Sequence, residues 1–210
     1  MMTDSEINEQ RASLYWWFAT LLTKELNSEQ LSQYFSGDGV NLLTKLDTEP
    51  DFKDAIAKIR SGLVMVMAIE QPTLELAADF SQLFLTDAKK GAPPYASVYL
   101  SKSGQMFEKP HQQMLALFKK EGLAIDPDFK EPADHIAIQL DYLGNLILKD
   151  ANKSSHAQHA FIEEHLLSWL TPFVNSTLRV QNSGFYQGIC LLLQAYIEQD
   201  FKRLSLEQTS

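Results

Sequence analysis

Between Pro132 and Ile147 the apolar residues return every three or four positions, a spacing that only an α-helix turns into a continuous stripe. Ile136, Leu140, Leu143 and Ile147 form that stripe. Asp134, Ile138, Asp141 and Asn145 fall on a second face, so two carboxylates one heptad apart share a side. His135, Gln139 and Tyr142 make a third row. Pro132 suits the first turn of a helix, where its missing N–H costs nothing. Glu131 and Asp134 put negative charge at the same end, where the dipole favours it. The pattern therefore predicts a helix opening at Pro132, with His135 pulled one way by the dipole and the other by its neighbouring carboxylate.

The same period recurs along the chain. Thr3 and Glu6 have capping-box spacing ahead of Leu14, Tyr15, Trp17, Phe18, Leu21 and Leu22. Trp16 and Trp17 cannot share one helical face, so Trp17 is assigned to the core and Trp16 to a partly exposed position. Asn27 to Gln30 opens a second helix that ends over Ser36 to Gly39, and Thr48 to Asp51 opens a third. Pro72 opens a fourth and Pro110 a later one, which carries Lys119 and Lys120 in its last turn and stops at Gly122. From Thr86 to Phe107 the helical pattern fails, and Ala96 to Leu100 reads as a short extended piece with no evident partner strand. Ser154 or Ser155 caps a helix that runs through Phe161, Leu166 and Trp169 to a stop or kink at Pro172. A last helix is expected from about Ser183 to Leu204. No alternating β pattern occurs, so the expected fold is all-α. Two helical units, 1–122 and 133–210, are expected to be joined by a proline-containing hinge over 123–132, with Asp126, Pro127 and Pro132 as its hinge residues.

A formal charge of −9, with four scattered arginines (Arg11, Arg60, Arg179 and Arg203), argues against nucleic acid as the main partner. The opening residues Met1 to Glu6 lack the basic start and apolar run of a secretory signal. No apolar run reaches the length of a membrane span, so a soluble cytoplasmic protein without membrane insertion is expected. Cys190 is the sole cysteine and reads as a core thiol. The chain carries no phosphate loop, no dinucleotide fingerprint and no nucleophile elbow, so no catalytic residues are assigned. His156, His159 and Glu163 could share a face, but the Glu-x-x-His pairs of a helical di-iron site are missing and no metal site is assigned. His165, among apolar neighbours, reads as a packed structural residue. The loop around Tyr95, Ser97 and Tyr99 either packs down its aromatics or offers apolar area and hydrogen bonds to a partner; its residues leave both open.

Three words stand out in order: Pro93-Pro94-Tyr95-Ala96-Ser97-Val98-Tyr99-Leu100, then Glu131-Pro132-Ala133-Asp134-His135, then Glu163 to Leu170 with Phe185-Tyr186 behind it. Together they resemble the TorD family of chaperones for molybdenum oxidoreductases, whose relatives include the DmsD and NarJ groups. The resemblance covers nearly the whole chain and is strongest toward members serving trimethylamine N-oxide reductase. It implies an all-helical binding protein, not an enzyme. The implied partners are the twin-arginine signal peptide and the cofactor-free body of that reductase, held for molybdenum cofactor insertion and kept from premature export. It also implies either monomers or homo-oligomers, the latter including dimers formed by exchange of the C-terminal unit, no tightly bound cofactor, and weak affinity for guanine nucleotides. Carried onto this chain, the partner-binding positions are Tyr95, Ser97, Tyr99, Glu131, Asp134, His135, Gln139 and Asp141. Asp134 and Asp141 are expected to meet basic residues, Tyr95 and Tyr99 to pack on the apolar part, and Pro132 to set the hinge angle. Gln139 stands where relatives often place an acid, so it supplies no charge. The alternative client is an enzyme of the dimethyl sulfoxide reductase type, and the alternative class is a GTP-dependent enzyme.

Overall fold

Side-chain capping opens the first two helices. Thr3 Oγ1 accepts from the Glu6 N–H while Glu6 Oε2 accepts from the Thr3 N–H at 2.7 Å, and α1 follows over Asp4–Thr23. Asn27 and Gln30 exchange the same pair of bonds ahead of α2, Ser28–Ser36. The computed structural model describes residues 3–123, 130–149 and 155–208. After α2 come α3 (Asp38–Leu46), a 3-10 turn at Pro50–Phe52, α4 (Lys53–Met67) and α5 (Pro72–Phe84). A single helical turn α6 (Ala96–Leu100) precedes α7 (Lys109–Glu121), α8 (Ile136–Lys149) and α9 (Ser155–Phe161). A π-helical segment, Ile162–Leu167, leads into α10 (Ser168–Leu178), and α11 spans Phe185–Gln208. Among the described residues no strand forms, and the fold is all-α. None of the described helices is long and apolar enough to cross a membrane.

Four expectations change. The helix expected from Pro132 starts at Ile136, because the residues before it are held by bonds to a distant loop. Ala96 to Leu100 is helical, and the extended pairing lies one residue earlier, in an antiparallel bridge of Tyr95 with His135. Pro172 sits inside α10, so of the expected stop or kink it makes no stop. Trp17 is only partly buried, and so is Trp16. Asp126 and Pro127 lie outside the described residues.

The chain forms two units that are discontinuous in sequence: residues 1–23, 94–172 and 200–210, and residues 24–93 and 173–199. The helices on either side of 123–132, α7 and α8, belong to the same unit.

In the first unit α1 packs on α8. Ile136, Leu140, Leu143 and Ile147 are all fully buried, as their spacing predicts, and contribute about 6–12 kcal/mol of gross hydrophobic stabilisation. The α1–α8 approach is close enough that a Cβ on Gly144 would lie 2.6 Å from Trp16 Nε1. Trp169 is buried with its indole N–H donating to the His165 carbonyl at 2.7 Å, which satisfies the polar end of an otherwise apolar ring. Arg11, itself buried, binds both oxygens of buried Asp200 at 2.8 Å. In the second unit Phe80, Phe84, Phe173, Phe185 and Tyr186 make edge and stacked contacts in one aromatic cluster. Tyr186 Oη accepts from the Leu26 N–H, and Asp79 Oδ2 accepts from the Ser183 N–H just ahead of α11. Cys190 is fully buried, and burial raises its thiol pKa far above the ordinary value.

Candidate functional site

Two of the sequence words, more than thirty residues apart in the chain, close on each other within the first unit. The Ile136 N–H donates to the Pro94 carbonyl at 2.8 Å, and the Ala96 N–H donates to the Asp134 carbonyl at 3.2 Å. Asp134 Oδ2 accepts from the Ser97 N–H at 2.7 Å, at the start of the α6 turn. The Tyr95 hydroxyl donates to Glu131 Oε2 at 2.5 Å. Tyr95 and His135 also meet edge to face, with ring centroids 5.0 Å apart. On the far side of the loop, Ser97 Oγ accepts from the Glu108 N–H. His111 Nδ1 accepts from the Ala133 N–H at 2.9 Å. The result is a clasp in which each side chain is held by at least one bond or ring contact.

Burial sorts the residues of the clasp. Ser97 and Asp134 are fully inaccessible, and Tyr95, His135 and Gln139 are buried. Tyr99 is partly buried and stacks on Trp169 with centroids 5.6 Å apart. Glu131 and Asp141 are exposed. Pro132 is buried in the loop before α8, where it occupies no helical first turn. Asp134 is thus no rim charge: its carboxylate faces inward onto a backbone N–H, and a basic residue of a partner cannot reach it on the surface of this conformation. Asp134→Ala should lower the unfolding free energy by about 2 kcal/mol in urea, because a buried N–H loses its acceptor, while Asp134→Asn should cost much less. Equal losses for both variants would mean that the Ser97 bond contributes little.

His135 acts as a cap. Its Nδ1 accepts from the Ala137 N–H at 3.1 Å, which requires that nitrogen to be unprotonated. Burial lowers its pKa from 6.5 to about 4, so the neutral ring wins over the pull of the adjacent carboxylates. The Tyr95 hydroxyl is pushed well above its usual range, first by burial and then by its bond to Glu131, and it stays a donor. Asp141 is shifted upward by partial desolvation, opposed by the Asn145 amide. Among the described residues no group of three His, Cys, Asp or Glu side chains could hold a metal ion. His159 rests on Phe201 and lies 3.0 Å from Ser205 Oγ. His111, which anchors Ala133, is a member of the clasp that its own sequence neighbourhood does not mark; only the folded chain brings it there.

The family described as nitrate reductase delta subunit matches residues 47–175. The chain is 39% identical to the chaperone protein TorD of Vibrio atlanticus, over 99% of this chain and 100% of that one. It is 43% identical to the TorD chaperone of Ferrimonas balearica, covering 91% of this chain and 88% of its relative. For the TorD chaperone of Aliivibrio fischeri the identity is 41%, with 95% and 97% covered. These relatives are chaperones, a class that works by binding and not by turnover. The chain belongs to the TorD chaperone family.

Proposed function

We propose that this chaperone serves trimethylamine N-oxide reductase, binding both its twin-arginine signal peptide and its cofactor-free body in the cytoplasm. The observation that carries the reading is the clasp itself. It ties Tyr95 to Glu131 through a hydrogen bond while Glu131 remains an exposed residue, and Tyr99, a few residues on, stacks on Trp169 in the same unit. Such a signal has a basic start and an apolar run of about 7–15 residues. Burying about four leucine-sized side chains yields roughly 6–12 kcal/mol gross, against association and ordering costs of about 4–15 kcal/mol. The apolar part alone therefore gives no tight complex, and the acidic element sets specificity and on-rate. Modest affinity suits a chaperone that must release its client.

Calorimetry against cofactor-free trimethylamine N-oxide reductase, with and without its signal peptide, tests the reading. Binding to both forms, tighter with the signal, is the expected result. Binding only to the signal-bearing form would reduce the role to export proofreading, and binding to neither would favour a client of the dimethyl sulfoxide reductase type. We further propose that any dimer forms by exchange of the chain beyond residues 123–132. Pro132→Ala should then alter the monomer-to-dimer distribution on size exclusion, and an identical profile would remove Pro132 from that process. Weak guanine nucleotide binding stays part of the proposal without an assigned site.

A further inference from the structure

Between Arg60 and Glu70, from Ser61 to Ile69, nine residues pass without a charge. Gly62, Leu63 and Val66 are buried and account for the inward side of α4. Val64 and Met65 are nevertheless 69% and 53% exposed, and Met67 and Ile69 are exposed as well. A surface helix ordinarily sets charged or polar groups opposite its buried stripe, and a helix that is apolar on every side is a covered one. Five residues after Ile69, in the first turn of α5, Leu74 is 64% exposed. Leu74 also lines a recess of about 600 Å³, together with Lys24, Glu25, Leu26, Pro72 and Ala77.

Size, charge and side-chain type narrow what covers this face. Five exposed large apolar side chains fall well short of the roughly 20–30 residues that each side of a stable interface commits, so the face suits a partner that is released and not a permanent second copy. The charges at its edges are of both signs. Arg60, itself paired with Asp47 at 2.6 Å, and Glu70 close the uncharged run, and Lys24 and Glu25 stand together in the recess. Such an edge selects no net charge in a partner, unlike an acidic one, which would favour a basic segment. Met65 and Met67 add flexible, polarizable thioethers, which adapt to irregular apolar surfaces.

We propose that the exposed face of α4, Val64 to Ile69 with Leu74 beyond it, receives an uncharged apolar segment of the client's cofactor-free body. An incompletely folded body exposes apolar segments of varied shape, and a face without charge bias that carries two methionines matches them. The face lies in the second unit, whereas the clasp lies in the first. The assignment rests on the body-binding half of the function proposed above and adds the residues that make the contact.

The test is calorimetry of the full chain against cofactor-free trimethylamine N-oxide reductase lacking its signal peptide, and separately against the signal peptide alone. Val64→Lys and Met65→Gln place good helix formers at exposed positions, so their melting temperatures should stay within about 2 °C of the wild type. Val64→Lys should bind the body at least about tenfold more weakly, and Met65→Gln should shift in the same direction. Affinity for the signal peptide should be unchanged in both. Should Val64→Lys fail to fold, Met65→Gln carries the test. Wild-type affinity for the body in the folded variants would overturn the assignment and leave the body-binding reading standing. An equal loss toward the signal peptide would overturn it too, because the face would then serve the signal. A wild type that binds no body would overturn both readings. Sedimentation of the chaperone alone covers the other occupant: a dimer that Val64→Lys turns into monomer would give the face to a second copy and overturn the client assignment.

Discussion

Asp200→Ala is expected to lower the unfolding free energy by about 3–5 kcal/mol, the usual cost of stranding one member of a buried ion pair. Arg11 meets Asp200 through two parallel bonds, Nε to Oδ1 and Nη2 to Oδ2, both at 2.8 Å. The Tyr15 hydroxyl donates to Oδ2 at 2.8 Å, and Arg203 Nε reaches Oδ1 at 3.2 Å. Gln158 Oε1 and Asn8 Oδ1 take further guanidinium hydrogens. With Arg11 and Asp200 6% and 4% exposed, the variant takes the balancing negative charge away from a buried guanidinium and removes one acceptor of the buried Tyr15 hydroxyl. Urea denaturation followed by circular dichroism measures the loss. Replacing both partners, Arg11→Met with Asp200→Leu, should recover much of it, because the uncompensated charge is gone. A loss below about 1 kcal/mol in Asp200→Ala would show that the pair contributes as weakly as a surface one.

The second large effect depends on pH. In the folded chain His135 holds its proton only below about pH 4, whereas in the unfolded chain it takes one up below 6.5. Between those values the unfolded state binds more protons, so stability rises with pH across that window and is lost as pH falls through it. The contribution is fully present above about pH 7 and should be about 2 kcal/mol smaller at pH 4.5. His135→Asn keeps an acceptor for the Ala137 N–H and removes the titration. The difference between wild type and variant, measured in urea at pH 7 and pH 4.5, therefore isolates this histidine from the carboxylates that also titrate there. Parallel pH profiles for the two proteins would refute the assignment of a neutral, buried cap.

These two sites show where sequence reading ends. The helices were legible where a local rule met no competing bond from a distant segment. Caps at Thr3 and Asn27, prolines at the openings of α5 and α7, and Gly122 at φ 68° after Lys119 and Lys120 all act within a few residues. The stripe of Ile136, Leu140, Leu143 and Ile147 was equally plain, since a helix converts spacing into a buried face without outside help. The order of the sequence words pointed to the family for a similar reason: a resemblance is carried by residue identity alone.

What the words do to each other depends on the fold. Pro132 and Asp134 satisfy every local rule for a helix opening, yet the helix waits until Ile136, because the Asp134 carboxylate and carbonyl and the Ile136 N–H are bound to residues 94–97 instead. Asp134 and Asp141 lie one heptad apart in sequence, but one is fully buried and the other exposed. The partnership of Arg11 with Asp200 spans 189 positions, and nothing local marks either residue. Whether a carboxylate becomes a cap, an ion-pair partner or a solvent-facing charge is decided by desolvation and by the nearest donor. Both are properties of what tertiary packing brings alongside, so periodicity and capping could locate the helices while only the folded chain could assign those charges.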